Sequence, residues 1–144
     1  MNYYYQNRRD YPGDYFPVPK AIFRMGLNAG EIAVLAYLMY CEDRRTYQCH
    51  PSYATIGSAC NMSINTVRKH VHGLVLKGFI YKETTSITTQ DGRKRNGTLQ
   101  YTLRPMKEVE EEYRQEQLRI AEQHVRWKKA IKKYGGVHFE KVNL

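Results

Sequence analysis

The sequence predicts a mainly α-helical fold carrying a small β-hairpin, and three observations lead to it. Three short stretches repeat apolar residues at helical spacing or are compatible with it, two of them directly behind a Ser and one behind an Asn, side chains that cap helix starts. Two segments then alternate apolar and polar residues about a turn rich in glycine and charge. A last stretch, residues 106–134, lacks glycine and proline and is crowded with Glu, Gln, Lys and Arg, the composition of one long helix.

Taken in order, residues 1–16 are dense in Tyr, Asn, Arg, Gly and Asp without periodicity, so a flexible arm is expected, joining the core near Tyr15 and Phe16. Pro17-Val18-Pro19 is extended, and Lys20 to Met25 suits one or two helical turns. Asn28 precedes Glu31 by three positions, the arrangement of a capping box. Ile32, Leu35, Ala36 and Met39 follow at helical spacing and predict a core helix over about 29–42. Residues 43–51 read as a polar connector. Ser52 caps a short second helix at 53–60, with Ala54, Ile56 and Ala59 expected inward. Ser63 caps a third that runs to about Lys77 and is stopped by Gly78, its buried face formed by Ile64, Val67, Val71, Leu74 and Val75. Phe79–Thr88 and Thr98–Leu103 make the hairpin, with a long basic tip spanning Gln90 to Gly97. Pro105 closes the domain and Gly135-Gly136 ends the long helix. The expected organisation is an arm at 1–16, a domain at 17–105, a helix at 106–134 and a tail at 135–144.

Charge narrows the function. The chain holds 23 Lys and Arg against 14 Asp and Glu, and the excess is local. Asn61 to Arg104 carries eight cations and two acids, whereas 106–144 is nearly balanced. A concentrated basic patch points to a polyanion. No run approaches the roughly 20 apolar residues of a membrane span, and Met1 to Tyr15 lacks the apolar core of a secretory signal. Three cysteines in no framework spacing suit a reducing, cytoplasmic setting.

Helix, helix, tight turn, helix, hairpin is the winged helix-turn-helix order. With positions 67, 71, 74 and 75 buried, Asn65, Arg68, Lys69 and His72 point outward, all able to bond base edges or phosphates. Ser63 and Thr66 stand at the same helix start. Arg93, Lys94 and Arg95 at the wing suit a minor-groove or phosphate contact, against the plainer reading of a solvated charged turn. Ser52 and Tyr53 open the second helix, whose N–H groups suit a phosphate; core packing is the other reading for Tyr53.

Three blocks carry a family resemblance: Pro51 to Gly57, Cys60 to Val71, and Leu76 to Ile80. Across about residues 15–105 the chain resembles the "helix-turn-helix domain 36" group, small winged-helix proteins of Firmicutes and their plasmids, phages and conjugative elements. It is more distantly similar to GntR-type and replication-initiator winged helices. The resemblance implies double-stranded DNA binding by the third helix and the wing, without catalysis or cofactor, in transcription regulation or in replication of a mobile element. It places base contacts at Ser63, Ile64, Asn65 and Arg68. Ile64 departs from the polar residue often seen there and reads either as a contact to a thymine methyl or as part of the core.

Other readings are weaker. Cys41, Cys49, His50 and Cys60 lack a paired Cys-x2-Cys hook, so buried thiols are expected rather than zinc. Neither a phosphate-cradling glycine loop nor a nucleophile–His–acid grouping is present. An RNA-binding winged helix would call for aromatic residues among the basic ones, and only Tyr81 and Tyr101 lie near the wing. A protein-interaction module keeping only the fold is a further alternative, opposed by the basic wing. In the long helix Tyr113, Ile120, Trp127 and Tyr134 recur every seven residues, with Val109 and Ala130 on a second seam spoiled by Glu116 and Gln123. This stripe either packs on its own domain or pairs with a second copy as a homodimer.

Overall fold

The computed structural model describes residues 15–134; most of the expected arm and the whole expected tail lie outside the described residues. A short 3-10 helix, Lys20–Arg24, seats Ala21 and Ile22 in the core, with Met25 buried just after it. Then follow α1 (Ala29–Cys41), β1 (Gln48–Cys49), α2 (Tyr53–Cys60), α3 (Ile64–Leu76), β2 (Ile80–Thr88), β3 (Lys94–Leu103) and α4 (Met106–Lys133). This is a winged helix-turn-helix followed by a long helix. Contacts divide the chain into one unit up to Val109 and a second from Glu110 onward.

Three helix starts obey their caps. At α1 the Glu31 N–H donates to Asn28 Oδ1 at 2.8 Å and the Asn28 N–H donates back to Glu31 Oε1 at 3.0 Å, a complete capping box. Helices α2 and α3 share one device: the Ser52 and Ser63 hydroxyls accept from the N–H groups of Thr55 and Thr66, and each hydroxyl also meets the threonine Oγ1. The end of α3 is a Schellman motif. Gly78 lies at φ +80°, its N–H donating to Val75, while the Phe79 N–H reaches Leu74.

The buried face of α1 differs from the expected one. Glu31, Val34, Leu35 and Leu38 are buried, whereas Ile32, Ala36 and Met39 are half-buried. Nearly every position from Ile32 to Met39 is apolar, so periodicity cannot choose the face and packing does. In α2 it is Ile56 and Gly57 that are buried, while Ala54 and Ala59 are exposed. Val67, Val71 and Leu74 of α3 are fully buried as expected, but Val75 is half-buried and Ile64 is exposed. Each sealed aliphatic side chain contributes about 1.5–3 kcal/mol.

The expected connector hides a strand. β1 pairs with β3 (Gln48 with Thr102, Cys49 with Tyr101), giving the antiparallel order β1-β3-β2. Two residues are too few for an alternation signal, and the chain reaches them through Tyr47 at φ +58°, a conformation that sequence does not advertise. Alternation along β3 sends Tyr101 and Leu103 inward, and Tyr101 is the largest fully buried side chain.

One polar residue is built into this core. Glu31, 2% exposed, accepts from Lys77 Nζ at 2.6 Å, tying α1 to the end of α3, and the same ammonium donates to the Gly26 carbonyl at 2.9 Å. Burial pushes the Glu31 carboxyl up. The Asn28 N–H and the Lys77 ammonium, with His70 nearby, nevertheless hold it below its ordinary value of 4.5. Two glycines make the approach possible: a Cβ at Gly73 would strike the Glu31 carboxylate, and one at Gly30 the His70 imidazole. The second half of α3 is thereby fixed on α1, which leaves the opposite face of the helix outward.

Candidate nucleic-acid interface

The outward face of α3 is set by the turn before it. Asn61 ends α2 at φ +55°, and the Met62 N–H donates back to the Gly57 carbonyl at 2.8 Å. Gly57 is required here, since its Cβ would stand 2.5 Å from the Met62 carbonyl oxygen. Asparagine tolerates the left-handed region better than most residues, which explains Asn61 at the corner. The turn reverses the chain within four residues and brings the start of α3 out beside the start of α2.

On α3, Ser63, Asn65, Arg68, Lys69 and His72 are exposed and Thr66 is half-buried. The Ser63 and Thr66 hydroxyls already face each other at 2.8 Å, so they serve the cap first and any ligand second. His70 turns instead toward Gly30 on α1 and stays off this face. The Arg68 guanidinium is held from two directions: Nη1 donates to Asn65 Oδ1 at 3.2 Å, and its carbon sits 5.7 Å from the centre of the Tyr53 ring. Tyr53, half-buried at the start of α2, is therefore engaged with the same arginine, and Ser52 is exposed beside it.

Ile64 was left open by the residue pattern, and at 48% exposure it is not core. It lies one turn before Arg68 on the same face. Its exposure carried no sequence signal, because an isoleucine at the first helical position fits the buried stripe equally well.

The hairpin is longer and its tip tighter than expected. β2 and β3 run to Thr88 and from Lys94, and the turn spans Thr89 to Arg93, closed by the Thr89 N–H on the Arg93 carbonyl at 2.9 Å with Gly92 at φ +74°. Only Arg93 of the basic triplet lies in the turn. Lys94 and Arg95 pair with Thr88 and Ile87 on β3, and as strand neighbours they point to opposite faces. A bulge near Thr85 sets two residues, Gly97 and Thr98, against one. A side chain at Gly97 would collide with Thr85, so glycine permits this crossing. All three cations are exposed.

The cysteines are not arranged as a metal site: among the described residues no group of three or more His, Cys, Asp or Glu is placed to hold an ion. Cys49 is buried, its thiol pushed up to about 12 by burial and its Sγ donating to the Leu38 carbonyl at 3.7 Å. Cys41 and Cys60 are half-buried rather than buried. Cys41, Cys49 and His50 border an open cavity of about 590 Å3 with Tyr37 and Glu42. Among the described residues no helix is long and apolar enough to cross a membrane.

Of the long helix, Val109 is buried within the first unit and takes no part in a seam. In the second unit Ile120, Trp127 and Tyr134 are exposed, and Leu118 and Val125 are exposed as well. The His124 and Trp127 rings stack at 6.0 Å.

A family model described as a helix-turn-helix domain matches residues 25–80, from the end of the 3-10 helix to the first residue of β2. No curated protein matches the chain. Among solved structures it is similar to a possible transcriptional regulator from Methanosarcina mazei Go1, at 12% identity over 71% of this chain and 79% of that one, with a TM-score of 0.48. A MarR-family transcriptional regulator from Silicibacter pomeroyi is similar at 15% identity, over 85% and 81% of the two chains, with a TM-score of 0.41. The adhesin competence repressor (AdcR) from Streptococcus pyogenes is similar at 16% identity, over 86% and 88%, with a TM-score of 0.40.

Proposed function

We propose that this chain binds double-stranded DNA and distinguishes sequences, with α3 in the major groove and the hairpin on the flanking backbone, and that it acts as a transcriptional regulator without catalysis. The observation that carries this reading is the split of α3. Val67, Val71 and Leu74 are fully buried while Asn65, Arg68, Lys69 and His72 are exposed beside a turn that brings out the helix start. Those side chains supply donors and acceptors for base edges, and Lys69 with the wing cations Arg93, Lys94 and Arg95 supplies phosphate contacts. Ser52 and Ser63 lie at two helix starts whose remaining N–H groups favour phosphate.

RNA fits less well. Tyr101 is fully buried, and Tyr81, though exposed, already has the Arg104 guanidinium 5.3 Å from its ring centre, so few aromatic faces interleave the basic wing. Selection from random duplexes tests the proposal. One enriched motif is expected, with binding that weakens with salt at a log–log slope of about −3 to −6, roughly 0.9 per phosphate contact. A flat salt response would remove nucleic acid from the account. Enriched sites lying at promoters support transcription control, whereas sites clustered at a replication origin would move the role to maintenance of a mobile element.

A further inference from the structure

Arginine is an effective reader of guanine because its planar fork matches the O6 and N7 acceptors, but its long stem carries rotamer entropy that reading must overcome. In this chain the guanidinium of Arg68 does not wander in solvent. The Tyr53 ring, from α2, lies 5.7 Å from its carbon, and Asn65, from α3 itself, accepts from Nη1 at 3.2 Å. One ring contact and one of five donors are thus engaged, and Arg68 remains exposed, with further donors to offer a base. Tyr53 is in turn fixed, as the first residue of α2, behind the Ser52 cap.

We propose that Tyr53 and Asn65 are positioning residues that hold the Arg68 guanidinium ready to read a guanine, so that Tyr53 acts through its ring and not as a phosphate ligand through its hydroxyl. This rests on the DNA-binding reading above and deepens it by naming the base and the residues that set its discrimination. The two roles of Tyr53 separate cleanly. A hydroxyl on a phosphate would strengthen every duplex alike, while a ring beneath a guanidinium affects only the guanine that Arg68 reads.

The test uses the full chain, its selected duplex, the same duplex with single guanines replaced by 7-deazaguanine, and an unrelated duplex. Tyr53→Phe, Tyr53→Leu and Asn65→Ala are compared with the unaltered protein after thermal melts establish that each is folded. The unaltered protein should lose about tenfold or more at one guanine on loss of N7. Tyr53→Leu should shrink that penalty by roughly two- to fivefold, the worth of an exposed cation–π contact, and Asn65→Ala should shrink it as well. Tyr53→Phe should keep it. In the DNA-free protein, NMR should find the Arg68 side-chain protons shifted upfield by the ring, and the shift should vanish in Tyr53→Leu. A full penalty in Tyr53→Leu, a missing ring shift, or uniform weakening of all duplexes by Tyr53→Phe would each overturn the positioning role. An intact ring shift with no guanine penalty in the unaltered protein would instead overturn guanine reading by Arg68.

Discussion

Glu31 is a carboxylate enclosed in an apolar core, and its worth depends on which partner is removed. With Lys77 at 2.6 Å and the Asn28 N–H at 3.0 Å, its charge is answered twice. Glu31→Gln keeps the volume but leaves the Lys77 ammonium without its counter-charge, so a loss of about 1–3 kcal/mol is expected in urea melts at neutral pH. The sign of the pH dependence follows from a carboxyl held below its ordinary value of 4.5. Its contribution is present above that value and drains away as pH falls through the folded-state value. The unaltered protein should therefore lose more stability than Glu31→Gln between about pH 5 and pH 3, and parallel stability curves would refute the ion pair. Arg68→Ala addresses recognition instead. It should cost about 1–3 kcal/mol on the preferred duplex and relax discrimination at one base, whereas removing Arg93, Lys94 and Arg95 together should weaken all duplexes about equally. Unchanged specificity in Arg68→Ala would mean that the wrong face of α3 has been taken for the reader.

Between α2 and α3 the corner depends on what is missing from Gly57. The Cβ of Gly57→Ala would stand 2.5 Å from the Met62 carbonyl oxygen, and that neighbour is backbone, not a side chain able to swing away. A loss of about 1–3 kcal/mol is expected, with DNA affinity falling further than the folded fraction alone explains, because α3 would tilt. If Gly57→Ala melts and binds as the parent does, the corner is softer than its geometry implies. The same elements show how far residues alone reveal structure. Asn28, Ser52 and Ser63 announce three helix starts because a cap is a local bond between near neighbours. The polar face of α3 is legible as the complement of Val67, Val71 and Leu74. The buried face of α1 is not, since a run of apolar residues has no phase. β1 is invisible because two residues carry no alternation, and the extended wing strands are masked by the charges on Lys94 and Arg95. The meeting of Tyr53 with Arg68 joins two helices, so no pattern within either could reveal it.

At the scale of the whole molecule, the unexplained feature is the apolar surface of α4. Ile120, Trp127 and Tyr134 stand 47%, 54% and 67% exposed, and Tyr113, half-buried, continues their seven-residue spacing. Ile131, half-buried, falls on the same side of the helix, as does His124 stacked on Trp127. From Ile120 onward the seam thus alternates steps of four and three, the spacing that lets helices interlock, with Gln117 at the intervening place before it. Charge supplies the direction. Glu108, Glu110, Glu111 and Glu112 crowd the start of α4, and Arg126, Lys128, Lys129, Lys132 and Lys133 its end, so two copies running antiparallel would set acid against base at both ends. A homodimer through this helix is our expectation, and it would present two reading heads to a symmetric site. Sedimentation of the full chain at concentrations on the order of tens of micromolar should give a dimer, weakened by Ile120→Glu and by high salt. A chain ending at Glu112 should run as a monomer; that end point keeps Val109, which is buried in the first unit. It should also bind a single half-site with less affinity than the full chain has for the paired site. A full-length monomer at those concentrations would end the dimer proposal, and α4 would then need another role.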